Sequence, residues 1–334
     1  MSIKIGQPWR SDPRDLSLRP YNGTPEDLTA LTRVRNDTLR ATTLPEDFSE
    51  LDGAGMSRFY SRGDFELAGN AWLLFHSGGP VGAAVVYPRA IFGDRPPGNF
   101  DMYVVPSHWQ HGLGSRLLAH LEQAALGRGQ HTLETTVASE DRQSVKFLQG
   151  RGFQVVGQSA HLARSNMSKS RLPSAEAPDG YTLHSLASLG EPPETYRETT
   201  NRLGAYDTNY SLIRPEEVEA TIQSATWDPA GVLLLFDPEG RIVGVIRASA
   251  GDNGRGYMHE IRLEPGSRGQ GLGMFMLTEA LQYLSGRGVT RVELDTTGGN
   301  TPAHNLALKA GFSVSRHWLH FLKPLAIDIG SSKG

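Results

Sequence analysis

The chain has 334 residues, a formal net charge of −3, 38% hydrophobic residues and no cysteine. This length is enough for one large domain or two ordinary domains with well-packed cores. The near balance of charge gives no general attraction to nucleic acid or to an anionic membrane, and the lack of cysteine excludes disulfides, thiolate zinc sites and a cysteine nucleophile.

The first residues, 1–13, lack the apolar core of a signal peptide, and apolar runs such as 232–236 are too short to cross a bilayer. We therefore expect a cytoplasmic protein with no nucleic-acid partner, no membrane partner and no metal site.

The first half of the chain alternates between strand and helix patterns. A helix is predicted to begin at Thr24, because a threonine cap, Pro25 and two carboxylates follow in order. The region 47–63 gives no clear pattern. Strands are predicted at 16–20, 71–75, 81–87, 100–105, 132–137 and from 152, and helices at 24–39, from behind the segment 109–114 to near 127, and at 141–149.

The segment 165–180 is rich in Ser, Pro, Lys and Ala without periodicity, which is typical of a linker. The same order of elements then starts again, with strands at 181–186, 232–236 and 242–248 and a helix at 192–203.

Three pairs of positions show that the two halves are copies of one domain. Pro106 and Pro265, Gly112 and Gly271, and the Gly-Phe pairs at 152–153 and 311–312 are each separated by 159 residues. A constant separation through a strand, a loop, a helix and a second strand indicates an internal repeat.

In the second copy, 259–312 contains the most informative motif. A strand ends at Pro265, the loop 268–273 reads Arg-Gly-Gln-Gly-Leu-Gly, and apolar residues at helical spacing follow. A strand, a glycine turn and a helix N-terminus form a favourable anion site, because the first helical N–H groups have no partner within the helix.

The details of this loop select among known glycine loops. Met276 stands where a Rossmann turn needs its third glycine, and no Gly-Lys-Ser/Thr of a P-loop is present. Arg-x-x-Gly-x-Gly after a strand ending in proline resembles the acetyl-CoA pyrophosphate loop of the Gcn5-related N-acetyltransferase (GNAT) superfamily. Asn300 and the segment 309–312, Lys-Ala-Gly-Phe, are similar to the end of that domain.

The resemblance implies an α/β (α+β) fold of two tandem GNAT domains, the architecture of mycothiol synthase, each with a mixed, mostly antiparallel sheet flanked by helices. We predict an N-terminal GNAT domain at 1–164, a linker at 165–180, a C-terminal GNAT domain at 181–326 and a tail at 327–334. In this family two parallel strands separate, and the pantetheine arm of the cofactor lies between them.

The resemblance also assigns roles in the second copy. Glu260 stands where several members carry the general base, although a carboxylate on a strand also suits a structural salt bridge. Asn300 suits either the cofactor or a helix N-cap. The residues predicted to bind acetyl-CoA are Ile261, Arg262, Leu263, Arg268, Gly269, Gln270, Gly271, Leu272, Gly273, Met274, Asn300 and Asn305.

The first copy departs further from the family, with Trp109 in place of the arginine, Asp101 opposite Glu260 and Asp141 in place of the asparagine. Its glycines keep a backbone cradle, so cofactor binding is predicted but catalysis is not favoured. The predicted cofactor residues there are Met102, Tyr103, Val104, Gln110, His111, Gly112, Leu113, Gly114 and Ser115.

Many members use a tyrosine to protonate the departing thiolate, but the two copies have Leu148 and Ala307 at that position. His304 or Tyr257 are candidates to replace it, and the thiolate can also leave without an acid from the protein. For the acceptor, Tyr206, Asp207 and Tyr210 suit an ammonium group, although an ordinary polar loop is the better explanation of these residues.

The sequence therefore predicts an N-acetyltransferase that transfers the acetyl group of acetyl-CoA to a primary amine of a small molecule or peptide, by direct attack in a ternary complex. The alternatives are a non-catalytic acyl-CoA-binding regulator and an aminoacyl transferase of the doubled type. The second alternative is disfavoured by the two glycine loops and the absence of a basic excess. The oligomeric state is not predicted.

Overall fold

The structure, a computed structural model, describes residues 15–43, 48, 50–60, 65–88, 98–167, 175–207, 210, 212–224, 227–297 and 300–325. Two compact units are present. The first takes its residues from 1–137, 141–156 and 320–334, and the second from 138–140 and 157–319. Within the described residues, no helix has the length and apolar character needed to cross a membrane.

The elements of the first copy follow the predicted order. They are β1 (Leu16–Pro20), α1 (Pro25–Thr42), α2 (Gly53–Tyr60), β2 (Ala71–His76), β3 (Gly79–Pro88), β4 (Gly98–Val104), α3 (Leu113–Gly127), β5 (Thr132–Ala138), α4 (Arg142–Gln149) and β6 (Gln154–Arg164). The predicted helix start is confirmed, because the Thr24 side chain accepts a hydrogen bond from the Asp27 backbone N–H at 3.2 Å. The unclear region 47–63 contributes α2.

The second copy repeats this order. Its elements are β7 (Thr182–Ser185), α5 (Leu186–Leu189), α6 (Pro193–Gly204), α7 (Pro215–Ile222), β8 (Val232–Phe236), β9 (Ile242–Ala250), β10 (Arg255–Leu263), α8 (Leu272–Gly286), β11 (Arg291–Thr297), α9 (Thr301–Lys309) and β12 (Ser313–Pro324). Residues 168–174 of the predicted linker lie outside the described residues. Met167 before them is buried in the core of the second unit, with α8.

Each unit has a mixed, mostly antiparallel sheet with helices on its faces, as predicted. The strand order is β1-β2-β3-β4-β5 in the first unit and β6-β11-β10-β9-β8-β7 in the second. The parallel pairs are β4 with β5 and β10 with β11. These pairs are joined by α3 and α8, the helices that follow the two glycine loops.

The last strand of the first copy joins the sheet of the second unit. Residues 159–164 of β6 pair antiparallel with β11, and Asp295 lies directly opposite His161. Conversely, residues 320–324 of β12 belong to the first unit, where the Leu325 backbone N–H donates to the His131 carbonyl at 2.8 Å. The compact units thus differ from the repeat copies by an exchange of C-terminal strands.

Candidate functional site

The two parallel strands of the second unit pair only at their beginnings. Their ladder runs from Arg255 and Arg291 to Met258 and Leu294 and then stops. Beyond this point, residues 260–263 of β10 pair with residues 247–244 of β9 on one side only. The expected separation of the strands is therefore present, and it leaves one edge of 260–263 without a strand partner among the described residues.

A β-bulge lies where the strands separate. The register against β9 passes from Met258 to Glu260 and skips His259. A bulge places an extra residue in one strand and changes the direction of the side chains that follow. As a result, His259 and Glu260 contact the neighbouring residues Ser249 and Arg247 of β9, on the same face of the sheet.

The carboxylate of Glu260 is oriented by two donors on one of its oxygens. The Tyr196 hydroxyl donates to Oε1, and Arg247 Nε lies 3.3 Å from the same atom and 3.0 Å from the Tyr196 hydroxyl oxygen. Burial and the charge of Glu260 hold the pKa of Tyr196 well above its usual value, so this hydroxyl keeps its proton. These two contacts fix the carboxylate through Oε1, and Oε2 remains a hydrogen-bond acceptor.

His259 is a neutral neighbour of this carboxylate. Its Nε2 lies 2.7 Å from the Ser249 hydroxyl oxygen. Burial, with a smaller effect from Arg247, lowers the pKa of His259 to about 3. The imidazole is therefore uncharged at neutral pH and adds no competing positive charge beside Glu260.

The predicted glycine loop connects β10 to α8 and has two residues with left-handed backbone. Gly269 has φ of +79° and Gly271 has φ of +84°, and a Cβ at either would meet nothing within 4 Å. Arg268 Nε donates to the Leu263 carbonyl at 3.1 Å, and Gln270 Nε2 donates to the Gly266 carbonyl at 3.0 Å. The loop is thus shaped by its own side chains, with open space above its glycines.

The remaining predicted residues of the second copy have mixed placements. Leu272 is fully buried in the core, and Gly273 packs against Leu306. Met274 packs partly against the core, whereas the Asn305 side chain is exposed. Leu272 and Met274 thus attach the start of α8 to the core.

Asn300 caps helix α9, because its side-chain oxygen accepts a hydrogen bond from the Ala303 backbone N–H at 3.2 Å. Ala307, at the family's tyrosine position, is buried in the core. Two candidate acids remain. His304 has Nδ1 3.3 Å from the Thr296 hydroxyl oxygen, and the Tyr257 hydroxyl donates a hydrogen bond to Asp295.

The first unit has a cavity of about 410 Å³ at its own glycine loop. Seven of its nine predicted cofactor residues line this cavity: Met102, Val104, Gln110, Gly112, Leu113, Gly114 and Ser115. His111 is not among the lining residues. The α1 residues Thr38 and Thr42 close another side.

This loop has the same backbone shape as the loop of the second unit. Gln110, at the position of Gly269, has φ of 63°, and Gly112, at the position of Gly271, has φ of 79°. A left-handed glutamine is uncommon, so the conformation is imposed by the surrounding structure. Arg151 also lines the cavity, beside the Phe147 ring at 5.7 Å.

Asp101 and Tyr103 of the first unit point away from that cavity. The hydroxyls of Tyr60 and Tyr87 donate to Asp101 at 2.8 and 3.3 Å, and the Tyr60 and Tyr103 oxygens lie 3.4 Å apart. Burial raises the pKa of Asp101. The strand residue opposite is Val85, and the β3–β4 register has no bulge. This carboxylate is therefore held quite differently from Glu260.

The acceptor candidates Asp207 and Tyr210 both contact Arg262. Asp207 Oδ2 lies 2.6 Å from Arg262 Nη1, and the Tyr210 ring lies under the same guanidinium at 4.3 Å. The charge of Asp207 is thus already paired, and the Tyr210 hydroxyl donates a hydrogen bond to Asn201 Oδ1 at 2.7 Å. Through Arg262, both side chains are attached to β10.

The sequence did not identify Tyr196 and Arg247, which orient Glu260. It also did not identify Arg151, which lines the cavity of the first unit. Tyr196 and Arg247 become neighbours of Glu260 only through the packing of α6 and the bulged register of β10. Arg151 has Ala310 as its counterpart in the second copy, so comparison of the copies gave no indication of it.

Comparison with known proteins shows the family of this chain. The family model described as "Acetyltransferase (GNAT) family" matches residues 33–153 and 203–312. A mycothiol acetyltransferase of Tsukamurella paurometabola is 29% identical over 69% of this chain and 78% of its own length. One from Arthrobacter sp. (strain FB24) is 26% identical over 65% of this chain and 67% of its own length.

Solved structures show the same tandem fold. A GCN5-related N-acetyltransferase from Sphaerobacter thermophilus matches with a TM-score of 0.76 and 21% identity, over 95% of this chain and 98% of that one. A tandem GNAT protein from the clavulanic acid biosynthesis pathway has a TM-score of 0.69 and 18% identity, over 93% and 99% of the two chains. The chain described here belongs to the acetyltransferase (GNAT) family and is an acyltransferase with two tandem GNAT regions.

Proposed function

We propose that this protein transfers the acetyl group of acetyl-CoA to a primary amine of a small molecule, and that the reaction takes place in the second unit. The observation that carries this proposal is the combination at β10. The ladder with β11 stops at Met258, the next residue forms a bulge, and Glu260 follows with an oriented carboxylate. The relatives named mycothiol acetyltransferase support a small-molecule acceptor.

The backbone of the second unit suits an extended, hydrogen-bonding cofactor with a diphosphate. The edge of residues 260–263 offers strand-type donors and acceptors to a pantetheine chain. The left-handed Gly269 and Gly271 leave open space at the N-terminus of α8, where N–H groups favour an anion. When bound, acetyl-CoA would supply the acetyl thioester.

The role of Glu260 in this proposal is to accept a proton from the acceptor's ammonium. Tyr196 and Arg247 hold one carboxylate oxygen and fix the side-chain rotamer. A positioned carboxylate of this kind contributes roughly 10²–10⁴-fold to proton-transfer steps. Direct attack by the freed amine needs no enzyme nucleophile, which agrees with the absence of cysteine.

For the first unit we propose cofactor binding without catalysis. Its cavity is lined by the loop residues 110–115 and by Arg151, which adds a positive charge for a phosphate group. Asp101, however, is enclosed by tyrosine hydroxyls and lies on a regular, unbulged strand. The second unit is therefore the better candidate for chemistry.

The experiment that tests the proposed function is release of free thiol from acetyl-CoA in the presence of a panel of primary amines. Ellman's reagent suits this assay, because a chain without cysteine gives no background. Amine-dependent thiol release would support the transferase. Cofactor binding without thiol release across the panel would favour the alternative, an acyl-CoA-binding regulator.

A further inference from the structure

A second carboxylate lies at the point where the strands of the second unit separate. Asp295 is the first residue of β11 beyond the parallel ladder, which ends at Leu294. Its side chain is 50% exposed. On the other strand, Glu260 is two residues beyond the ladder's end at Met258. The two carboxylates therefore stand on opposite strands at the start of the same gap.

Contacts place both carboxylates on one face of the sheet. The Tyr257 hydroxyl donates a hydrogen bond to Asp295, and Tyr257 lies opposite Ser249 in the register with β9. The Ser249 hydroxyl forms a hydrogen bond with His259 Nε2, and the ring centroids of Tyr257 and His259 are 4.9 Å apart. A line of polar side chains thus runs across this face from Asp295 to the residues beside Glu260.

The surroundings of Asp295 differ from those of its neighbour on β11, Glu293. Glu293 is 14% exposed and forms ion pairs with Arg291 at 2.6 Å and Arg255 at 3.9 Å. No lysine or arginine of the described residues forms an ion pair with Asp295. Its partners are the Tyr257 hydroxyl and His161 Nδ1 at 2.8 Å.

These partners orient Asp295 through hydrogen bonds. Burial alone would raise the pKa of Asp295, but hydrogen bonds from His161 and Tyr257 outweigh this effect and hold the pKa below its usual value. Each carboxylate oxygen has two acceptor positions, so both can accept a further donor. Such a carboxylate attracts a mobile cation more strongly than Glu293, whose charge is already paired with two arginines.

We propose that Asp295, oriented by Tyr257 and by His161 from the exchanged strand, binds a second positively charged group of the acceptor. The preferred acceptor is then a diamine or another amine with a second cationic group, whose reacting amine lies at Glu260. This inference rests on the proposed function. It also gives the strand exchange a role, because His161 comes from the first repeat copy and completes the acceptor site of the second.

The kinetic test compares putrescine and its longer homologues with butylamine as acceptors. In Asp295→Asn, KM for the preferred diamine should rise at least about tenfold, while kcat and the KM for butylamine stay within about twofold. Tyr257→Phe and His161→Gln should raise the diamine KM by smaller factors. The matched control is Glu239→Gln, which changes an exposed carboxylate in the β8–β9 turn.

A binding test that needs no turnover separates this inference from the proposed function. Calorimetric titration with tetramethylputrescine and its longer homologues, which are tertiary amines and form no stable amide, should show binding to the wild type that Asp295→Asn loses. If the wild type binds these probes but acetylates no amine, the proposed function is wrong and the cation site stands. No binding by the wild type, or equal KM changes for the diamine and butylamine, would overturn the cation site.

Discussion

Arg268 Nε donates a hydrogen bond to the carbonyl oxygen of Leu263, 3.1 Å away, and so closes the turn between β10 and α8. In the first unit, Trp109 Nε1 makes the equivalent bond to the Val104 carbonyl at 2.6 Å. Two different side chains thus serve one structural purpose at equivalent positions. Arg268, which the sequence suggests as a phosphate ligand, therefore stabilises the conformation of its own loop.

This support can be tested by exchanging the residue between the copies. Arg268→Trp should keep a donor to the Leu263 carbonyl and retain the melting temperature within about 1 °C, whereas Arg268→Leu should lose about 1 kcal/mol of stability and a few degrees. Differential scanning calorimetry of the two variants measures this difference. Equal melting temperatures for both variants would show that the bond contributes nothing to the fold.

The glycines with left-handed backbone should decide cofactor binding in each unit. Valine at Gly112 or Gly271 has room for its Cβ but adopts φ near +80° only at a cost of about 1–2 kcal/mol, so the loop should change shape. Calorimetry with acetyl-CoA should give two sites for the wild type and one for each variant. The matched controls are valine at Gly23 and Gly240, which have the same φ outside the two loops. Two sites in Gly112→Val would contradict the cradle in the first unit.

Arg151 should bind a phosphate group in the cavity of the first unit. Charge-assisted hydrogen bonds contribute about 1.5–3 kcal/mol, so Arg151→Gln should weaken one of the two acetyl-CoA sites by at least about tenfold. The weakened site should also lose part of its salt dependence. Arg142→Gln, at an exposed position of α4, is the control and should leave both sites unchanged. The same effect from both variants would exclude a specific role for Arg151.

His259 should make the protein less stable in mild acid. Burial lowers the pKa of His259 to about 3 from 6.5, so between these values the unfolded chain binds one more proton than the folded chain. The free energy of unfolding should therefore fall with decreasing pH, by up to ~1.4 kcal/mol per pH unit from this residue. Urea unfolding at about pH 7 and pH 5 should show a smaller fall for His259→Gln than for the wild type and the exposed control His131→Gln. An unchanged pH dependence in His259→Gln would contradict the buried, neutral imidazole.

The elements and the repeat were predictable because their causes are local. Pro265 ends a strand, Gly271 starts the helix with a left-handed residue, and Thr24 caps a helix through a neighbour three positions away. The partner of β6 was not predictable, because the alternating residues of a strand do not specify which other strand it pairs with. The bulge at His259 also depends on pairing with β9, so Arg247 could not be assigned to Glu260 from the sequence.

The most direct test of the account is a comparison of kcat for Glu260→Gln and Asp101→Asn with the amine that the wild type acetylates fastest. These carboxylates stand at equivalent positions of the two copies, but only Glu260 follows a bulge at the end of a parallel ladder. We expect Glu260→Gln to lower kcat by about 10²-fold or more, and Asp101→Asn to change it by less than about threefold. The reverse order of effects, or an unchanged kcat in Glu260→Gln, would contradict catalysis by Glu260 in the second unit.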